Sequence, residues 1–441
     1  MNRRKVWRWI LGVTTGLLLV LGGVFWNLHR QATLAFERHD RLVKEAIASI
    51  RARPVGRPCL FEPPLEGNGW DDYVKALAAA KAIPESEADD LPRMSADDVG
   101  VDPDRVREIL DKHAVILELL RRSGRHAGFA PGYRYEDALR MDMSALTSAV
   151  RTVRFLSGWA LHSHGQIEDG PALEAVVLAL AVGHDAGRAG PVLNLLYHHA
   201  CEAVGTEVAR DILEGHALDA ADLRRFADRL DRLWAARPTI GDGFRIEDAI
   251  HRRALVDAGL GGPDLDFRSK FPLEWETYRT WRYLYSRRLA YAGALGELEQ
   301  RFRELSSLES LAPELRPPAA DRIRLEARSS KNPVVNRMIP DLTSLYLHES
   351  LAMMNWTLMR VATAIAWYES EKGVPPEKLD ELVPRYLPNV PSCPLTGKPL
   401  GYEHGRVWSV GLNGVDDGGL PGMLNGPLAV DGDVVWAVRR E

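Results

Sequence analysis

Apolar residues run almost unbroken from Val6 to Leu28, with Arg8 the one charged side chain among them. As a helix, 23 residues extend about 34 Å at 1.5 Å each, enough for a hydrocarbon core of about 30 Å. Trp7, Trp9 and Trp26 stand near its two ends, where indole rings favour the headgroup region. The basic cluster Arg3, Arg4, Lys5 and Arg8 predicts an N-terminus held in the cytoplasm, with the bulk of the chain exported across an inner (cytoplasmic) membrane. A cleaved signal peptide is the competing reading, but its apolar region is about 7–15 residues long with a small-residue cleavage site behind it. Here the run is longer and Asn27-Leu28-His29-Arg30-Gln31 follows, so an uncleaved anchor is expected. Gly12 and Gly16 form a G-x-x-x-G pair suited to a homodimer between membrane helices.

Beyond the span the period changes. Residues 29–50 keep helical spacing with mixed charge and read as a stalk, and Arg51 to Gly67 reads as a linker because it holds four prolines and two glycines. A helix is expected from Trp70 to Ile83, then an acidic loop with a short helix from Glu85 to Asp104. From about Arg105 to Asp257 the pattern is helical. Leu223, Phe226, Ala227, Leu230, Leu233 and Trp234 fall on one face, behind Asp219 and Asp222 as first-turn acids. Breaks at Gly165–Gly170 and Gly187–Gly190 separate helices of 15–25 residues, which implies antiparallel hairpins, although no fixed repeat period emerges. Leu273 to Leu308 is a further helix carrying Trp275, Tyr278, Trp281, Tyr283, Tyr285, Arg287 and Arg288, read as an aromatic core face edged by arginines. Pro313 to Pro340 reads as irregular. A helix from Asp341 to Lys372 stops at Gly373, after which short strand-like runs appear at Leu400–Tyr402, Val407–Val410 and Val434–Val438.

Composition narrows the classes. The 441 residues hold 56 Lys+Arg and 61 Asp+Glu, a net charge of −5, which argues against a nucleic-acid binder. Three cysteines (Cys59, Cys201 and Cys393) cannot make a disulfide scaffold, and their spacing favours no pairing. The expected fold is mainly α. It has a tip and transmembrane anchor over 1–28, a stalk and linker over 29–66, an all-helical domain of repeat-like hairpins over 67–330, and a small α+β domain over 331–441.

Three pieces of the tail carry a family resemblance. They are Ala364-Ile365-Ala366-Trp367-Tyr368-Glu369-Ser370-Glu371-Lys372-Gly373-Val374-Pro375, then Leu379 to Pro388 with Pro394-Leu395-Thr396-Gly397-Lys398-Pro399, and finally Trp408-Ser409-Val410-Gly411 leading into a Gly- and Asp-rich loop. Together they resemble the globular domain of the major pseudopilins of type II secretion systems, as it occurs at the end of anchored envelope proteins of planctomycete-type bacteria. Two departures stand out. No prepilin-peptidase site precedes Val6, and the pilin-like helix sits about 340 residues downstream; Cys393 also stands where the family pattern has Asp. Polymerisation as a pilin is therefore not expected.

The resemblance implies calcium in the C-terminal loop, held by Asp416, Asp417, Asp431 or Asp433 with Asn413 supplying a carbonyl. Calcium takes six to eight oxygens, and the same Asn-Gly and Asp-Gly pairs equally serve as turns. For zinc, His162, His164, His184, Asp185, His198, His199, Cys201 and Glu202 supply ligand types but no H-E-x-x-H or C-x-x-C spacing. Neither a G-x-S-x-G elbow nor a P-loop is present, and no catalytic residue is nominated. The leading expectation is a non-enzymatic, membrane-anchored structural or interaction component of the envelope, linked to secretion or pilus-like machinery, with envelope proteins as partners. A metal-dependent envelope hydrolase using the His-rich region and a helical-repeat peptide-binding module are the alternatives.

Overall fold

The computed structural model describes residues 3–53, 56–91, 102–261, 281–339, 343–411, 413–421, 423–424 and 430–438. Trp275 and Tyr278 lie outside this set. So do the side chains of Arg3, Arg4, Lys5, Trp7, Arg8, Trp9, Trp281, Tyr283, Tyr285 and Asp431.

Helix α1 (Arg3–Ala52) contains the apolar run and continues past it without a break. From Gly12 to Leu28 its described side chains are exposed, and the helix is long and apolar enough to cross a membrane. After Leu28 the same helix changes role, because Ala32, Phe36, His39, Val43 and Ile47 recur at helical spacing and are buried against the rest of the protein.

The body begins with β1 (Leu65–Asn68), α2 (Trp70–Lys81), α3 (Glu85–Asp89), α4 (Pro103–Lys112), α5 (Val115–Gly124) and β2 (His126–Gly128). The stretch read as a linker thus ends in a strand, which pairs in parallel with β2. Strands this short have no period to detect, and they exist only because residues about 60 positions apart meet. Helices α6 (Ser144–Gly165), α7 (Asp169–Gly187), α8 (Val192–Glu214), α9 (Ala220–Ala235) and α10 (Ile240–Gly259) follow, breaking where the glycines do. The Asp219 carboxylate accepts from the N–H groups of Ala221 and Asp222, capping α9 as its position predicts. Helices α6, α7 and α8 pack on one another, and their short connections make neighbours antiparallel.

Helix α11 (Trp281–Ser307) lies beside α1. Its Arg288 donates to the Thr33 hydroxyl (3.0 Å), while Glu299, eleven residues on, faces His39 (3.9 Å), so the two helices advance in the same direction. Helix α10 runs the opposite way, with Asp242 near Arg53 and Arg253 bound to Asp40 (2.9 Å).

The irregular reading of Pro313 to Pro340 is corrected, since the stretch holds α12 (Arg316–Arg328) and α13 (Pro333–Met338). Their prolines occupy the first turn, where a missing N–H costs nothing and the fixed φ suits the helix. Helix α14 (Thr343–Lys372) ends at Gly373, whose φ of 81° is the expected left-handed cap. Strands β3 (Gly401–Glu403), β4 (Arg406–Ser409), β5 (Met423–Leu424), β6 (Val430–Asp431) and β7 (Val434–Ala437) complete the chain. An antiparallel sheet of order β3-β4-β7 packs on α14, and β5-β6 form a separate pair. One hydrophobic core unites α2 to α9 with α14 and this sheet, while a second joins α1, α10, α11, α12 and α13.

Candidate functional site

Two helices that follow one another in the chain bring the His-rich region together. His184 lies in the last turn of α7, and His198, His199 and Glu202 lie on α8. Their close approach needs Gly183, where a Cβ would stand 2.8 Å from that of Cys201. His184, His198 and Glu202 are enclosed, each at most 1% exposed. The Nε2 of His184 is 3.3 Å from Glu202 Oε1, and that of His198 is 3.5 Å from Glu202 Oε2. The three ligand-type atoms all lie within 4.8 Å of one another.

Further groups close the cluster. Arg237, after α9, donates to Glu202 (3.1 Å) and to Glu349 of α14 (2.9 Å). His199 stands between the same carboxylates, 3.7 Å from Glu202 and 3.3 Å from Glu349. The Trp356 ring of α14 packs on His184 at 5.3 Å between centroids. Burial alone would raise the Glu202 carboxyl, but Arg237 and His198 hold it well below the ordinary range. Burial takes His198 well below its usual value and lowers His184 despite the neighbouring Glu202.

The other nominated zinc ligands go elsewhere. Asp185 accepts from Arg57 (2.6 Å) and Arg188 (3.1 Å), an enclosed triad that ties the segment after α1 to α7. The Cys201 thiol, pushed up to about 12 by burial, is not among the converging atoms. His162 stays apart. A second group forms from His164, Asp169 and His216, the last not singled out in the sequence, with stacked imidazoles 4.2 Å apart and Asp169 bound to both. Both groups join residues of different helices or loops, which no sequence spacing announces.

The C-terminal loop uses its polar side chains as turn caps. Asp433 accepts from the N–H groups of Asp417 (3.0 Å) and Gly419 (2.7 Å). Asp416 accepts from Trp408 Nε1 and the Gly418 N–H, both at 3.0 Å, and Asn413 accepts from the Val415 N–H. Among the described residues, Asp416, Asp417 and Asp433 do not bring three ligand atoms within 4.8 Å as the histidine groups do. Of these carboxylate oxygens, Asp433 Oδ1 is buried without a hydrogen-bond partner.

A cleft of about 480 Å³ that Arg237 also lines lies between the end of α1 and the α9–α10 corner. Arg53, Arg188, Arg237 and Arg245 line it together with Asp242 and Asp248. Comparison with protein-family models, curated proteins and solved structures returns no match. The molecule is thus defined by its own architecture, a mainly helical body built onto one long helix with an apolar N-terminal half.

Proposed function

We propose that the protein is a single-pass, membrane-anchored envelope component that holds an extracytoplasmic body at a fixed place for protein interaction, without catalysing a reaction. One observation carries this reading: α1 passes from an exposed apolar segment into the body's core without a break. A helix entering by Phe36, Val43 and Ile47 is a structural part of the body, whereas a cleavable leader would be dispensable to it. The basic tip sets the N-terminus in the cytoplasm. The pseudopilin-like reading of the tail and a role beside secretion or pilus-like machinery rest on its sequence resemblance, with which a helix bearing a three-stranded antiparallel sheet is compatible. Gly12 and Gly16 have open space beside them and suit a homodimer.

The test is topological. The full chain stays in the membrane pellet after carbonate extraction, and in spheroplasts added protease digests the body while sparing the N-terminal tip. Release by carbonate, or a body shielded from external protease, overturns the reading.

A metal-dependent hydrolase is the second reading, favoured by the convergence of His184, His198 and Glu202. Against it, a catalytic metal needs an open coordination position, and these three side chains are enclosed. Hydrolysis of an ester or peptide substrate that is lost in Glu202→Gln would restore it.

A further inference from the structure

We propose that His184, His198 and Glu202 bind one divalent transition metal ion, zinc before others, as a structural centre beneath α14. Four observations converge on it.

The first is distance. Zinc–nitrogen bonds of about 2.0–2.1 Å in a tetrahedron set neighbouring ligand atoms about 3.3–3.4 Å apart. Here His184 Nε2 stands 3.3 Å from Oε1 and His198 Nε2 3.5 Å from Oε2 of the one Glu202 carboxylate, and one ligand atom from each of the three residues lies within 4.8 Å of the others. The second is the donor set. Two imidazoles and one carboxylate suit zinc and its late first-row neighbours, whereas calcium and magnesium take oxygen.

The third is unmet hydrogen bonding. His198 is fully enclosed, yet neither ring nitrogen has a hydrogen-bond partner, and His184 Nδ1 also lacks one. Buried polar atoms are nearly always satisfied, and a set of orphans at one point signals an absent ion or water. A metal accepting the His198 Nε2 lone pair removes one of them and fixes the ring. The fourth is charge. Glu202 and Glu349 contribute two negative charges and Arg237, the arginine paired with both, one positive, so the carboxylates facing the imidazoles outnumber their own ion-pair partner. Arg237 would then hold Glu202 from behind, as outer partners orient metal-ligating carboxylates. A proton shared among the imidazoles is the other way to meet that charge, and the experiment separates the two.

The placement gives the ion a task. Glu202 and His199 of α8 face Arg237 and Glu349, and His184 packs on Trp356, so the centre fastens α7 and α8 to the helix that carries the sheet.

Full-length protein, purified in detergent from zinc-supplemented cells and desalted, is expected to carry one zinc per chain by elemental analysis. His198→Asn and Glu202→Gln lose it to background while keeping helical circular dichroism, and His216→Asn keeps it. Should the first two variants fail to fold, cobalt-grown wild-type protein decides. The d–d absorption of a four-coordinate nitrogen and oxygen site supports the proposal, and its absence overturns it. Zinc at background in folded wild-type protein, or zinc lost in His216→Asn but kept in His198→Asn, also overturns it.

Discussion

The ring of Phe36 fills the space beside Gly259 that a Cβ would need, so α1 and α10 touch ring against backbone. Phe36 is fully buried in the core shared with α11 and cannot swing aside. Gly259→Ala is therefore expected to destabilise the body by about 1–3 kcal/mol through overpacking. Gly296→Ala on α11, where nothing stands near the added methyl, should stabilise by about 0.5–1 kcal/mol by reducing unfolded-chain entropy. Thermal melts of both variants check the pair, and equal effects would refute the interlock.

Acid should loosen α1 from the body through His39. This side chain is buried between α1, α10 and α11, with Arg252, Glu299 and Arg38 around it. Burial first and Arg252 next lower it from its ordinary value of 6.5, outweighing Glu299. Folded protein thus resists a proton that the unfolded chain takes up readily. The contribution is intact above pH 6.5 and is lost as pH falls from there toward the folded value. Melting temperature is expected to drop from pH 7 to pH 5, and His39→Gln to flatten that slope, with the remainder belonging to other lowered histidines such as His348.

Removing the Asp185 carboxylate leaves Arg57 and Arg188 enclosed and facing each other. Breaking a buried pair by deleting one partner costs about 3–5 kcal/mol. Both side chains of the Arg57–Asp185 pair are 3% exposed, so Asp185→Ala should lie at the upper end of single-residue effects in urea unfolding. A loss under 1 kcal/mol, of the order expected for an exposed ion pair, would show that solvent reaches the triad.

All three cysteines are free thiols. Cys201 and Cys393 are buried, and Cys59 is half-buried with its sulfur on the Phe61 and Arg125 carbonyls. In native protein a bulky thiol reagent should therefore modify at most one cysteine per chain, with all three reacting after unfolding. Fast modification of two in the native state would contradict this burial.

What the sequence made legible followed local rules. The apolar run of α1, the Asp219 cap and the left-handed stop at Gly373 each depend on neighbours within a turn or two. Prolines misled over α12 and α13 because Pro breaks a helix interior but suits its first turn, and composition does not say which applies. The pairing of Leu65 with His126 and the meeting of His184 with His198 and Glu202 are tertiary events. The histidines were visible as ligand types, but their convergence depends on how closely α7 and α8 pack at Gly183. In the aspartate loop the turn chemistry foreseen for Asn413 and Asp417 is joined by Asp433, which caps backbone N–H groups from 14 and 16 residues away.

The parallel course of α1 and α11 has a mechanical meaning. Two adjacent helices leave the end of the apolar segment together, with Arg288 clasping Thr33 one turn past His29. A bending force on the body is then carried by a double beam instead of a single rod, and the body takes the tilt of the apolar half of α1. In a bilayer it would retain lateral diffusion and spin about the α1 axis while losing free tumbling. Any surface it offers a partner would then be presented at nearly constant height and angle, which shrinks the volume that an encounter must search.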